Sequence, residues 1–325
     1  MEDINASAKT DALERCHNQE RETMKTRNMS ATRTLIPAFT TSGVTKPQRI
    51  YTMLAFVLAL VLTPWSAFSF TFTTIDVPGA MHTSANRINA RGQIVGGYID
   101  AGGIGHGFLL DHGMFITIDV PGATDTGAVG VNAAGQIVGA FADAGGTVHG
   151  FLLDKGTFTT IDPPGSTSTE AFGINARGQI VGRYADGSGV VHAFLLDNGA
   201  FTTIDPPGSG YAQAIDINAA GQIVGGFEPP GHHGFLLDKG TFTTIDFPGG
   251  FGTDALGINA AGQIVGRYVD ASFLLHGFLL DKGTFITIDL PGSTFTEAIG
   301  INAAGQIVGD YVDASGTQHG FLATP

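Results

Sequence analysis

Six histidines, at 106, 149, 192, 233, 276 and 319, and six aspartates, at 76, 119, 162, 205, 246 and 289, return along the chain at intervals of 41 to 43 residues. Imidazoles in such number could ligate a metal ion, and carboxylates could serve as general acid and base. The interval argues against both. If six repeats close into a ring, each copy of a repeated residue stands about 60° round from the next, so the copies cannot converge on one ion or one bond. The histidines are therefore expected to bond polar groups of their own or an adjacent repeat, and each aspartate to cap backbone N–H groups of the Asp-x-Pro-Gly turn that it opens. The six glutamines of Gly-Gln-Ile-Val follow the same logic. No Gly-x-Ser-x-Gly elbow, His-Glu-x-x-His pair or phosphate loop occurs, and the Asp-Ala-Ser-Gly and Asp-Ala-Gly-Gly tips lack the alternating carboxylates of an EF-hand loop. Neither a metal site nor a cofactor is expected.

Localised function should lie where the copies differ. The first residue of the first strand of each repeat is read as Ser84, Gly127, Glu170, Gln213, Asp254 or Glu297. Three carboxylates round one channel mouth would attract a cation or bond a sugar, or would simply be solvated strand ends. Three residues on, four copies have Gly, whereas the first has Arg87 and the fourth Asp216. Those two repeats are opposite each other, so both charges are expected to border the channel. The connections on the same face carry Tyr211, Phe251 and Phe295, and the fifth repeat adds Phe273. These rings either form a docking rim or pack between neighbouring loops. The candidate ligand-binding set is thus Glu170, Asp254, Glu297, Tyr211, Phe251, Phe273, Phe295, Arg87 and Asp216.

The elements that must position these residues are read from the repeats. Phe-(Thr/Ile)-Thr-Ile-Asp begins at Phe72, Phe115, Phe158, Phe201, Phe242 and Phe285, and between copies lie Ile-Asn-Ala-(Ala/Arg)-Gly-Gln-Ile-Val-Gly and His-Gly-Phe-Leu-Leu. Each unit holds four short runs of Ile, Val, Phe and Thr parted by Gly, Asn, Asp and Pro, the pattern of four strands a to d joined by tight turns. In the third unit a is placed near Ala171–Asn175, b near Gln179–Tyr184, c near His192–Leu196 and d near Phe201–Asp205. Consecutive apolar residues in Gln-Ile-Val and Phe-Leu-Leu require cover on both faces. A four-stranded period of about 40–45 residues is that of a propeller. The first copy supplies strand d alone and the last stops after c, so an N-terminal strand joining the C-terminal blade would close an all-β, six-bladed β-propeller over residues 70–325.

The repeated Gly-Ile-Asn-x-x-Gly-Gln-Ile-Val-Gly followed by His-(Gly/Ala)-Phe-Leu, literal at His192-Ala193-Phe194-Leu195, resembles the HAF-type extracellular repeats of bacterial proteins. That resemblance implies secretion or a surface location. It supplies no catalytic residues.

Sixteen basic residues oppose 29 acidic ones, and from Phe70 onward the balance is 8 to 23. Such a body repels phosphate backbones and anionic membranes, so nucleic acid is excluded as a partner. The sole cysteine, Cys16, precedes the repeats. Residues 1–49 lack a sustained apolar period and read as a disordered or mis-annotated extension. Residues 50–69 read as a signal peptide: Lys46 and Arg49 lead into the apolar run Met53 to Leu62 and the small-residue pattern Ala67-Phe68-Ser69. A retained anchor is the alternative, and translation from Met24, Met29 or Met53 would explain a signal so far inside the chain.

The preferred reading is an exported or cell-surface, monomeric propeller that binds a glycan, small molecule or protein through its variable-loop face. It would meet a membrane only through an uncleaved N-terminal segment. One rival is a carbohydrate-active hydrolase or lyase with paired mouth carboxylates about 5 to 9.5 Å apart, one with a raised pKa. Another is a structural surface protein without a site.

Overall fold

The computed structural model describes residues 69–228 and 231–325. The readings for residues 1–49 and for the signal over 50–69 thus lie, Ser69 apart, outside the described residues. The described chain is all β. A lone strand, β1 (Thr71–Ile75), precedes repeat one, which comprises β2 (His82–Ile88), β3 (Ile94–Ile99), β4 (Gly105–Asp111) and β5 (Met114–Ile118). Repeat two holds β6 (Asp125–Val131), β7 (Ile137–Ala142), β8 (Val148–Asp154) and β9 (Thr157–Ile161), and repeat three β10 (Ser168–Ile174), β11 (Ile180–Ala185), β12 (Val191–Asp197) and β13 (Ala200–Thr203). Repeat four holds β14 (Tyr211–Ile217), β15 (Ile223–Glu228), β16 (His233–Asp238) and β17 (Thr241–Ile245). Repeat five holds β18 (Gly252–Ile258), β19 (Ile264–Val269), β20 (Leu275–Asp281) and β21 (Thr284–Ile288). The last repeat has β22 (Phe295–Ile301), β23 (Ile307–Val312) and β24 (Gln318–Thr324).

Each repeat is an antiparallel meander, and repeats three and four are joined into one eight-stranded sheet by a single parallel pairing of Val191 with Tyr211. The sheets form a propeller-like ring. Strand β1 pairs antiparallel with β24, from Thr71 opposite Thr324 to Ile75 opposite Gly320. Strand a starts earlier than the sequence suggested, because the ladder continues out to Ser168 opposite Ala185. Glu170 and its counterparts are consequently the third residue of the strand, not the first.

Packing follows from the doubled apolar positions. On strand b, Ile180 lies in its own repeat's core and Val181 in that of the next repeat, both buried. Phe194 of strand c and its five copies are almost fully buried, each meeting the Phe of strand d edge-on at 5.3–5.8 Å. Burying one such ring contributes about 1.5–3 kcal/mol. Val308 of the last repeat and Ile75 of β1 share a core with Ala85, Ile88 and Phe108 of the first repeat.

The turns explain their residues. Between c and d both central positions take positive φ, with Lys155 at 50° and Gly156 at 81°, the geometry of a type I′ hairpin. The turn after strand d is closed by Ala80 N–H donating to the Val77 carbonyl, with Gly79 at φ 85°. The a–b turn holds Asn89, whose Oδ1 accepts from the N–H groups of Arg91 and Gln93. Its Nδ2 donates to the carbonyl of Asn132 in the next repeat; the same bond runs from Asn132 to Asn175, on to Asn218, Asn259 and Asn302, and from Asn302 back to Asn89. Because strands alternate in direction, the a–b and c–d turns share one face and the variable d–a and b–c connections share the other.

Candidate functional site

The repeated histidines behave as expected and the aspartates do not. Nδ1 of His106, His149, His192, His233, His276 and His319 bonds Asp119, Asp162, Asp205, Asp246, Asp289 and Asp76 at 2.6–3.0 Å. The turn aspartate is thus engaged by the imidazole, and the turn is closed by the carbonyl of the residue after it. In five repeats, every one but the fourth, Nε2 lies 3.4–3.6 Å from a second aspartate, in the b–c connection: Asp100, Asp143, Asp186, Asp270 and Asp313. Each of these five imidazoles therefore ties the b–c loop to the d–a turn of its repeat. Among the described residues no group of three His, Cys, Asp or Glu side chains is arranged to hold a metal ion.

These clamps set a pH dependence. The bonds to Asp162 and Asp205 outweigh burial and raise His149 and His192, and in His106 and His319 burial is the largest single influence but the two aspartates together still carry the pKa up. On the other side, the Ser188 and Ser315 hydroxyls and nearby N–H groups bring Asp186 and Asp313 down to about 2. A raised imidazole pKa favours the fold fully below the unfolded value near 6.5 and ceases to do so as pH climbs past the folded value. A lowered carboxyl pKa favours it above about 3.9 and is lost in stronger acid. The midpoint of thermal unfolding should therefore rise as pH falls from 8.5 to about 6 and drop below about 4. A flat profile from 6 to 8.5 would refute the clamps.

The mouth carboxylates fall into two networks. Glu170 accepts from Nε and Nη2 of Arg183 at 2.9 and 2.5 Å, and Nη1 of Arg183 donates to the Tyr211 hydroxyl at 2.8 Å. Tyr211 is thus half-buried against a guanidinium, and burial raises its pKa beyond what Arg183 takes back. In repeats four to six, Asp254, only 2% exposed, accepts from Nε of Arg267 at 2.7 Å and bonds Nε2 of His232 at 2.6 Å. Arg267 also reaches Glu297, 3% exposed, and His232 Nδ1 meets Glu228 at 2.8 Å. Burial would raise Asp254, but the charges of His232 and Arg267 hold it far below the carboxylate range. His232 is pushed up to about 10, chiefly by Asp254. An ionised, cation-bonded Asp254 is the opposite of a general acid awaiting its proton.

Arg87 and Asp216 meet across the axis. Four repeats have Gly130, Gly173, Gly257 and Gly300 here, so close to a neighbouring strand that a Cβ on Gly130 would lie 2.5 Å from the Phe172 carbonyl. Arg87 crosses the narrow passage with Nε 3.5 Å from Asp216, while Nη1 donates to Ile299 O at 2.6 Å and Nη2 to Ile215 O at 2.8 Å. Asp216 also accepts from the N–H groups of Ile217 and Ile258, both at 2.9 Å. Burial raises the Asp216 pKa against the pull of Arg87.

Of the rim aromatics, Phe251 and Phe273 stack at 5.8 Å with an 11° interplanar angle, remaining 47% and 40% exposed. Phe295 opens β22 opposite Val312, and no contact brings it to the other candidates. Phe273 holds φ 61° at a b–c turn position that is Gly103, Gly146, Gly189 or Gly316 elsewhere, a conformation a bulky side chain rarely takes. A depression of ≈ 300 Å³ reaches Phe251 but not Phe273 and is bounded also by His232, His233, Asp246 and Thr253. Arg183, Arg267 and His232 were not singled out from sequence. Their signal was available: strand b has Gly97, Ala140, Gly226 and Asp310 at this level and Arg only opposite Glu170 and Asp254.

No protein-family model and no curated protein matches this sequence. Among solved structures, the chain is similar to TolB from Acinetobacter baumannii at 11% identity, covering 71% of this chain and 63% of that one with a TM-score of 0.53. It is also similar to AofleA from Arthrobotrys oligospora (12% identity, 79% and 83% covered, TM-score 0.47) and to a fungal lectin of Aleuria aurantia described as a six-bladed β-propeller with a fucose recognition mode (13%, 64% and 77%, 0.43). At such identities the likeness concerns architecture.

Proposed function

We propose that the chain is an exported, closed six-bladed β-propeller of the HAF-repeat type that binds a glycan through its variable-loop face. One observation carries the reading: the repeats are alike on the a–b and c–d turns, and their departures from each other gather at the opposite end as the bonded networks round Arg183 and Arg267 and the exposed Phe251–Phe273 pair. The apolar face of a pyranose suits exposed parallel rings, and its hydroxyls suit fixed carboxylates and guanidinium donors. Six blades are supported by the six-membered run of Asn bonds, closure by the pairing of β1 with β24, and export by the charged, apolar and small-residue order ending at Ser69.

The test is a glycan array, repeated with Phe251→Ala, Phe273→Gly and Glu170→Gln. Phe273→Gly installs the residue that four other repeats use at positive φ, so it should leave stability unchanged or improve it by about 1 kcal/mol while weakening binding at least tenfold. An array with no binding, or variants that bind as the parent does, would defeat the proposal.

A further inference from the structure

Over repeats one, two, five and six the residue before the Pro-Gly turn packs on the repeat that follows, and over repeat five it is Phe247. Its ring lies flat on Tyr268, with centroids 3.5 Å apart and planes 2° from parallel, and meets Phe285 edge-on at 5.1 Å. Val77, Val120 and Leu290 pack at the equivalent place in repeats one, two and six. Repeat four has Pro206 there, too short to cover the rings below it. The result is a cleft of ≈ 450 Å³ lined by Pro206, Pro207, Phe227, Phe235, Phe242 and Thr244. Phe227, Phe235 and Phe242 are the counterparts of Tyr268, Phe278 and Phe285, so the cleft is the space that the Phe247 ring occupies one repeat on.

A second difference falls on the same spot. In four repeats the strand-b tyrosine bonds a strand-d threonine: Tyr98 with Thr117, Tyr184 with Thr203, Tyr268 with Thr287 and Tyr311 with Thr74. Phe227 has no hydroxyl, and the corresponding Thr244 Oγ1 makes no such bond. Repeat three shares the proline, as Pro163, but keeps its Tyr–Thr bond; repeat two shares the phenylalanine, as Phe141, but fills the space with Val120. Only repeat four combines an uncovered ring with an unengaged hydroxyl.

We infer that the cleft over Phe227 is a binding site for a monocyclic phenol, its ring stacked on Phe227 as Phe247 stacks on Tyr268 and its hydroxyl bonded to Thr244. The volume suffices, since about 150 Å³ of apolar space already holds benzene. Face-on and edge-on partners are both in place. The chemistry is shared by a free phenol and by a tyrosyl side chain of a partner. This site is remote in its argument from the glycan reading and uses none of its residues.

The experiment is ¹⁹F NMR titration of the full chain with 4-fluorophenol, alongside N-acetyltyrosinamide and cyclohexanol. Saturable binding of one 4-fluorophenol is expected, at least tenfold tighter than cyclohexanol, and tighter binding of N-acetyltyrosinamide would assign the site to a protein partner. Pro206→Phe copies repeat five and should abolish binding by filling the cleft, while Phe247→Pro combined with Tyr268→Phe, which also frees Thr287, should open a second site and raise the stoichiometry from one to two. Should either variant not fold, shift mapping on the parent decides: perturbations centred on Phe227, Phe242 and Thr244 support the site. No saturable binding, equal binding of cyclohexanol, an unaffected Pro206→Phe, or shifts centred elsewhere would overturn it.

Discussion

Arg87→Ala should lower the unfolding free energy by about 3–5 kcal/mol at neutral pH, because it strands a buried carboxylate. Arg87 and Asp216 are 4% and 8% exposed, and among the described residues the guanidinium is the one cation facing Asp216; its loss also removes the donor that the Ile215 and Ile299 carbonyls share. Asp216 would then hold its proton to higher pH, so the variant should regain part of its stability as pH falls through the raised folded value towards the unfolded value near 3.9, the interval in which the folded state binds more protons than the unfolded one. The decisive comparison is Arg87→Gly with Asp216→Gly, which gives these repeats the residue found in the other four. Removing both charges relieves the stranded one, so the double variant should exceed the weaker single variant by at least about 1.5 kcal/mol in urea unfolding. Strict additivity would mean that the two side chains do not act as a pair.

Gly182→Ala should prevent folding or cost more than about 4 kcal/mol, and so should the same change at Gly96, Gly139, Gly225, Gly266 or Gly309. A Cβ at 182 would drive into the Glu170 carbonyl oxygen on strand a and stand 2.7 Å from Cε1 of Phe194. Neither obstacle can move: the carbonyl belongs to the innermost strand, and the ring is fully buried. By contrast Gly127→Ala meets nothing within 4 Å and should change stability by less than about 1 kcal/mol. Circular dichroism and thermal melts of the two variants separate the cases, and a well-folded Gly182→Ala would show that strand b sits farther from strand a than described.

How much of this was legible in the sequence differs from residue to residue. Strand b of repeat three was placed to within a residue, because Ile180 and Val181 are both apolar and only a sandwiched strand tolerates that. The His–Asp clamps were half legible: the period ruled out a shared ion, but a partner 13 residues away is visible only once strands c and d pair. Arg87 and Asp216 were read as opposite and bordering the channel. Whether they touch depends on its width, which the glycines beside them set through backbone contact, and such close approach leaves no mark in hydropathy. The asparagines were read only as turn residues, since a bond from Asn89 Nδ2 to a carbonyl 43 residues on requires the ring itself. Arg267 was overlooked for a plainer reason: a charged residue in a half-exposed strand position looks like solvent-facing variation until Asp254 and Glu297 are seen on either side of it.

The pairing of Thr71 with Thr324 fixes where the chain can be held. Both ends of the described body leave beside the c–d turns, the floor of the disc, so a tether, an affinity handle or a solid support grafted at either terminus would leave the Phe251 and Phe273 side facing away from the attachment. Display of this protein on a particle or a bilayer would then need no spacer to keep its variable loops accessible.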